Sequence, residues 1–194
     1  MKPLLFYRIK DIITKTGASW DKLALNENNA NEYAEKHINK EPERFLQDKP
    51  THYSMEYCLA HSGESINERF RNNSPEKIDL QIAEVVDTHR TDTDLIVYRG
   101  ICDHVYDLMI ANAKNTDNAD FLEKGFTATS LVKGHELNYK KKLRIFIPAG
   151  SKCVFMGNVN YEPNFFEVTI QHGAEYKIIS ADDEYINCRL LKTA

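Results

Sequence analysis

With 194 residues, 42% of them hydrophobic, the chain is long enough to fill one apolar core and reads as a single domain over residues 1–194. Acidic residues outnumber basic ones by 29 to 25 for a net charge of -4, so no overall basic field draws the chain onto nucleic acid or a membrane, and only a local basic patch is left open. Four cysteines, Cys58, Cys102, Cys153 and Cys188, lack Cys-x-x-Cys spacing, which argues against a zinc site or disulfide framework and for reduced thiols.

The opening MKPLLFYRIK carries a brief apolar run broken by Arg8 and Lys10, too short for the apolar region of a secretory signal. Nothing approaches the roughly 18 apolar residues of a membrane span. The expectation is a soluble protein with no signal peptide and no membrane span. Residues 1–93 read as mainly helical, with helical patterns joined by polar loops such as HINKEPERFLQDKP. One pattern lies around HYSMEYCLA. In ESINERFRN, Ile66 and Phe70 stand four apart. In SPEKIDLQIAEVVDTH, Ser74 can cap, Pro75 suits a first turn, and Ile78, Ile82 and Val85 recur at helical spacing.

Residues 94–194 read as mainly β. DLIVYRGI, GFTATSL, KKLRIFIPAG, KCVFMGN, FFEVTI and AEYKIIS are short, rich in β-branched and aromatic residues, and separated by Gly, Pro, Asn or Asp. VYDLMIANAKN between the first two looks helical, and DNADFLEKG looks like a loop leading back to the sheet.

Three polar features interrupt these strands. Alternation puts Arg99 on one face with Leu95 and Val97. Thr127, Thr129 and Ser130 follow Phe126. Phe165, Glu167 and Thr169 are expected to share one face of the FFEVTI strand, and Phe166, Val168 and Ile170 the other. Taken singly, Arg99 could snorkel to water, the hydroxyls are ordinary strand residues, and Glu167 could face solvent.

In this order, an arginine strand, an aromatic–Ser/Thr strand and a glutamate strand followed by His172-Gly173 resemble the arginine-serine-glutamate class of mono-ADP-ribosyltransferases. The likeness is strongest to bacterial exoenzymes of the clostridial binary-toxin enzymatic type. It runs from about Tyr57 to about Ser180 and includes an Ile-Asn-x-x-apolar-Arg element at Ile66, Asn67, Phe70 and Arg71. The resemblance implies an α+β fold in which N-terminal helices pack on a twisted, mostly antiparallel two-sheet core. It also implies NAD as substrate, with no metal required. Glu167 is implied to be catalytic by stabilising the ribosyl cation. Arg99 would bind NAD, Gly100 and Asn67 would contact it, and Thr129 and Ser130 would hold the charged groups. Lys140, Lys141 and Lys142 fall near the family's nicotinamide-and-phosphate loop.

Two departures bear on the acceptor. Arginine-modifying members carry a second glutamate where this chain has Phe165, and the first serine of the Ser-Thr-Ser motif is Ala128. Phe165, with Phe166 beside it, is expected to face an acceptor other than arginine, either a protein side chain or a base of RNA or DNA. NAD hydrolysis and a non-catalytic NAD- or partner-binding module are the alternatives. The role implied is a toxin or effector, cytoplasmic in the producing cell or injected into a target cell, with a neutralising antitoxin or immunity protein as a partner to expect.

Overall fold

The computed structural model describes residues 2–38, 63–157 and 165–194. The helix expected at HYSMEYCLA, with Cys58, and most of the loop HINKEPERFLQDKP lie outside the described residues. Helices α1 (Leu4–Thr14), α2 (Thr16–Asp21) and α3 (Ala30–His37) fall within the residues 1–93 read as mainly helical. α4 (Gly63–Arg71) and α5 (Lys77–Asp87) follow the expected spacing.

Capping at the α4–α5 junction differs from the expectation built on Ser74 and Pro75. The Asp79 carboxylate accepts the Glu76 N–H at 2.7 Å, so α5 is capped from within its first turn and starts at Lys77. Ser74 instead closes α4, donating its backbone N–H to the Arg69 carbonyl at 2.8 Å.

The β half comprises β1 (Leu95–Ile101), β2 (Phe121–Glu123), β3 (Thr127–Ser130), β4 (Lys141–Ile147), β5 (Cys153–Gly157), β6 (Glu167–Ile170), β7 (Ala174–Ala181) and β8 (Ile186–Lys192). Helix α6 (Asp103–Ala113) lies between β1 and β2. β2 arises inside DNADFLEKG, expected as a loop, because Phe121, Leu122 and Glu123 pair with Tyr176, Glu175 and Ala174 of β7.

The class is α+β, with one correction to the expected pair of sheets. Hydrogen bonds join all eight strands in the order β2-β7-β8-β4-β1-β3-β6-β5. A five-strand part (β2-β7-β8-β4-β1) and a three-strand part (β3-β6-β5) meet through a single registered pair, Tyr98 with Ser130. Such a narrow junction lets the two parts turn relative to each other while remaining hydrogen-bonded. Between these eight strands of the described residues, every pairing is antiparallel except β4 with β8.

The main apolar cluster collects Val97 and Ile101 of β1, Leu143 and Ile145 of β4, Phe155 of β5, and Val168 and Ile170 of β6, with Ala30 and Ala34 of α3 packed against them. A second cluster seats Ile66 and Phe70 of α4 and Ile82 and Val86 of α5 on Phe126, Val154 and Met156. α4 and α5 thereby cover the β5 end of the sheet, next to the strand that carries Glu167.

Candidate active site

Arg99 leaves β1 with its side chain 13% exposed, and its Nη1 donates to the Ala128 carbonyl of β3 at 2.7 Å. Its Nη2 lies 3.9 Å from Glu123 Oε2. Glu123 is buried at the end of β2 and is held mainly by Arg71 of α4, which donates Nε to Oε1 at 3.0 Å and Nη2 to Oε2 at 2.8 Å. The Gly125 N–H adds a third bond at 2.9 Å. This bidentate pair consumes most of the Arg71 fork, whereas Arg99 Nε is buried without a hydrogen-bond partner among the described residues. Two guanidinium groups against one carboxylate leave a surplus positive charge beside β3.

Glu167 opens β6. Its Oε1 accepts the Thr169 hydroxyl at 2.7 Å, an i,i+2 bond that the strand period makes geometrically available. Cα registration sets Ser130 opposite Glu167 and Ala128 opposite Thr169. Ala128, Ser130, Glu167 and Thr169 therefore face one side of these strands. Ala128 is exposed there, and its carbonyl is the point where Arg99 reaches β3. Phe166 enters the strand with φ 47, a left-handed conformation costing on the order of 1–2 kcal/mol for a residue with a side chain. Burial of its ring at 2% exposure and the Leu131 N–H donated to its carbonyl at 3.0 Å hold it there.

Several expected roles are revised by these contacts. Phe166 is packed in the core, so it presents no ring to an acceptor, and the face reading of FFEVTI holds only from Glu167 onward because the left-handed residue interrupts the pleat before it. Thr129 Oγ1 donates to the Val168 carbonyl at 2.7 Å, and Ser130 Oγ donates to the Val132 carbonyl at 2.9 Å. Both hydroxyls thus organise β3 through backbone groups, and Thr169 is the hydroxyl that holds the glutamate. Asn67 Oδ1 accepts the Phe126 N–H at 2.8 Å and so fixes the entrance to β3. Gly100 is needed for close packing: a Cβ there would lie 1.8 Å from the Leu137 carbonyl oxygen, where the β3–β4 connection crosses β1. In the lysine run, Lys142 Nζ pairs with buried Glu136 at 3.0 Å and Lys141 Nζ with Asp103 at 3.3 Å, while Lys140 is exposed.

Further contacts tie the surroundings together. Tyr176 donates to Thr127 Oγ1 at 2.9 Å, and burial pushes its hydroxyl well above the usual tyrosine range, so it stays a neutral donor. The His172 ring stacks on Phe70 at 4.3 Å and ties α4 to the turn after β6, and burial lowers its pKa. Among the described residues, no group of three or more His, Cys, Asp or Glu side chains is placed to hold a metal ion.

Comparison with solved structures supports the fold. Plx2a, an ADP-ribosyltransferase toxin from Paenibacillus larvae, superposes with a TM-score of 0.55 over 96% of this chain and 98% of its own, at 16% identity. The Clostridium limosum C3 exoenzyme gives 0.59 over 86% and 95% at 17% identity. C3stau2 from S. aureus, solved with NAD, gives 0.54 over 99% and 97% at 19% identity. No curated protein matches the sequence itself. The family model for ADP-ribosyltransferase exoenzymes matches residues 30–191, which includes the Arg71–Glu123–Arg99 group, the β3 hydroxyls and Glu167. On that match the chain belongs to the ADP-ribosyltransferase exoenzyme family, enzymes that transfer single ADP-ribose units from NAD.

Proposed function

We propose that Glu167 is the catalytic carboxylate and Arg99 the principal NAD anchor, with transfer directed to a macromolecular acceptor other than arginine. One observation carries this reading. Arg99 reaches the β3 backbone at Ala128, Ala128 lies opposite Thr169, and Thr169 holds Glu167, so a short chain of contacts across β3 and β6 links the cation to the carboxylate. Arg99 retains N–H donors for the pyrophosphate, and the surplus positive charge shared with Arg71 and Glu123 favours an anion there. When the ribosyl–nicotinamide bond breaks, its electron pair leaves with nicotinamide and the ribose acquires oxocarbenium character. Glu167 stabilises that cation until an acceptor nucleophile bonds to the anomeric carbon and gives up its proton.

Phe165 is half-buried beside Glu167 and supplies an aromatic contact where a carboxylate would be needed to bind a guanidinium acceptor. The acceptor is therefore a protein side chain other than arginine, or a base. In the cell this activity fits a toxin or effector that acts in the cytoplasm of its producer or of an injected target and is restrained by an antitoxin or immunity protein.

The test is incubation of the protein and a Glu167→Gln variant with labelled NAD and cell lysate. Transfer should fall by about 10²–10³ in the variant while NAD binding is retained, since only transition-state charge stabilisation is removed. Loss of the incorporated label to protease or to nuclease identifies the acceptor class. Equal activity of the two proteins would sink the assignment of Glu167, and nicotinamide release without incorporation would identify a hydrolase.

A further inference from the structure

Helix α1 is amphipathic in the reverse sense to an ordinary surface helix, which turns its apolar stripe inward. Its inward side is held by buried Tyr7 and by Asp11, whose Oδ1 accepts the Ser180 hydroxyl at 2.7 Å, the Gly17 N–H at 3.0 Å and the Asn187 amide at 3.1 Å. On the opposite side Leu5, Ile9, Ile12 and Ile13 recur at i, i+4, i+7 and i+8, and they are 68%, 52%, 75% and 76% exposed. Phe6 widens the stripe. A contiguous row of this kind marks a contact surface, since scattered apolar residues would not share one helix face.

The rim of the stripe narrows what it contacts. Arg8 borders one side and Lys10 the other, with Lys2 and Lys15 at the two ends. The only acidic residue of the helix, Asp11, is turned inward and spent on the sheet. This basic border sits on a chain whose net charge is -4. Two copies meeting through α1 would bring like charges together, whereas an anionic lipid surface satisfies both the cations and the apolar row. An 11-residue helix is about 16 Å long, about half the thickness of a bilayer core. Among the described residues no helix is long and apolar enough to cross a membrane, so α1 would lie in the plane of the interface.

We infer that α1 docks the protein onto anionic membrane surfaces, with Leu5, Ile9, Ile12 and Ile13 entering the headgroup–acyl boundary and Lys2, Arg8, Lys10 and Lys15 pairing with lipid phosphates. The orientation is fixed by Tyr7 and Asp11, which hold the helix to the sheet and leave the apolar side outward.

Flotation of the full chain with phosphatidylcholine vesicles, with and without about one-third phosphatidylserine, tests this. The protein should float with anionic vesicles at low salt and bind neutral vesicles at least about tenfold less. The triple variant Ile9→Gln, Ile12→Gln, Ile13→Gln should lose about thirtyfold or more in partitioning, and Lys2→Glu with Arg8→Glu about twentyfold or more. Both variants change exposed positions, so their thermal transitions and NAD turnover should match the parent's, which separates loss of docking from loss of fold. The inference is overturned if the parent does not float with anionic vesicles or if the variants float as well as it does. A parent dimer that the glutamine variant dissociates, seen by sedimentation without vesicle binding, would instead make the stripe a self-association surface.

Discussion

Phe165 stands two residues before Glu167 and is half-buried. A ring in that position can hold an acceptor by stacking or apolar contact without touching the ribosyl–nicotinamide bond. Phe165→Ala should therefore cut transfer to the macromolecular acceptor by about tenfold or more, on the scale of one lost aromatic contact, and leave NAD hydrolysis within about twofold. Parallel assays of label incorporation and nicotinamide release check this, and an equal fall in both would place Phe165 in the NAD site. Arg99 and Glu167 are legible in the sequence because a charge on an otherwise apolar strand needs a reason. The Arg71–Glu123 pair is not, since its members are 52 positions apart and only the pairing of β2 with β7 places Glu123 beside α4. Nor do the hydroxyls announce their partners. Thr129 and Thr169 are equally ordinary strand residues, and their places in the strands send one to a backbone carbonyl and the other to Glu167.

Helices α4 and α5 cover the β5 end of the sheet, next to the strand of Glu167, and one ion pair locks them together. Asp79 of α5 is fully buried and accepts Arg69 Nε at 2.6 Å and Nη2 at 2.5 Å, besides the Glu76 N–H. Burial alone would raise its pKa, but the Arg69 and backbone hydrogen bonds outweigh it and hold the carboxyl below the usual range. A folded-state pKa below the unfolded value means that the stabilisation is present above about pH 4 and is lost as pH falls through the folded pKa. Asp79→Asn should then lower stability by about 1–3 kcal/mol at neutral pH and flatten the acid limb of the stability–pH curve, measured by urea unfolding across pH. Identical acid limbs for parent and variant would count against this pair as a source of acid lability. At the same scale, the long periodic segments announce α5, β1 and β4, while β2, with three residues, offers too few alternations to read. α1 is obscure for the opposite reason: its apolar period is clear, but it faces away from the core that such a period normally marks.

Across the whole molecule, the N-terminal helices are fastened to the sheet by a polar group centred on Arg144 of β4, which is 2% exposed. It donates Nη1 to Asp182 at 2.5 Å and to Asn187 Oδ1 at 2.6 Å, and its Nε lies 2.7 Å from Asp21 of α2. Asp21 also accepts the Tyr98 hydroxyl at 3.0 Å and Lys133 Nζ at 2.9 Å, and Tyr185 donates to Glu136 at 2.7 Å beside them. Tyr98 and Arg144 are direct cross-strand partners, so this network lies on the face of β1 opposite Arg99. It includes α2, β1, β4, the β7–β8 turn and β8, beside the apolar group in which Trp20 packs on Phe146. Hydrophobic patterning reports Leu143 and Ile145 as core and is silent on Arg144, because a buried cation is tolerable only when its carboxylates arrive from distant parts of the chain. Arg144→Leu would leave Asp21 and Asp182, which are 30% and 26% exposed, without their main counter-charge and would strip buried Asn187 of its donor. Stability should drop by about 3–5 kcal/mol, or roughly 6–20 °C in Tm for a chain of this size. Below that lowered transition, NAD turnover per folded molecule should stay within about twofold, because the bonds Arg144 makes go to Asp21, Asp182 and Asn187 and not to Arg99 or Thr169. Thermal unfolding and NAD turnover measured on the same preparation separate these effects, and a fall in turnover without a fall in Tm would mean that the polar network tunes the site across β1 and does more than hold the helices to the sheet.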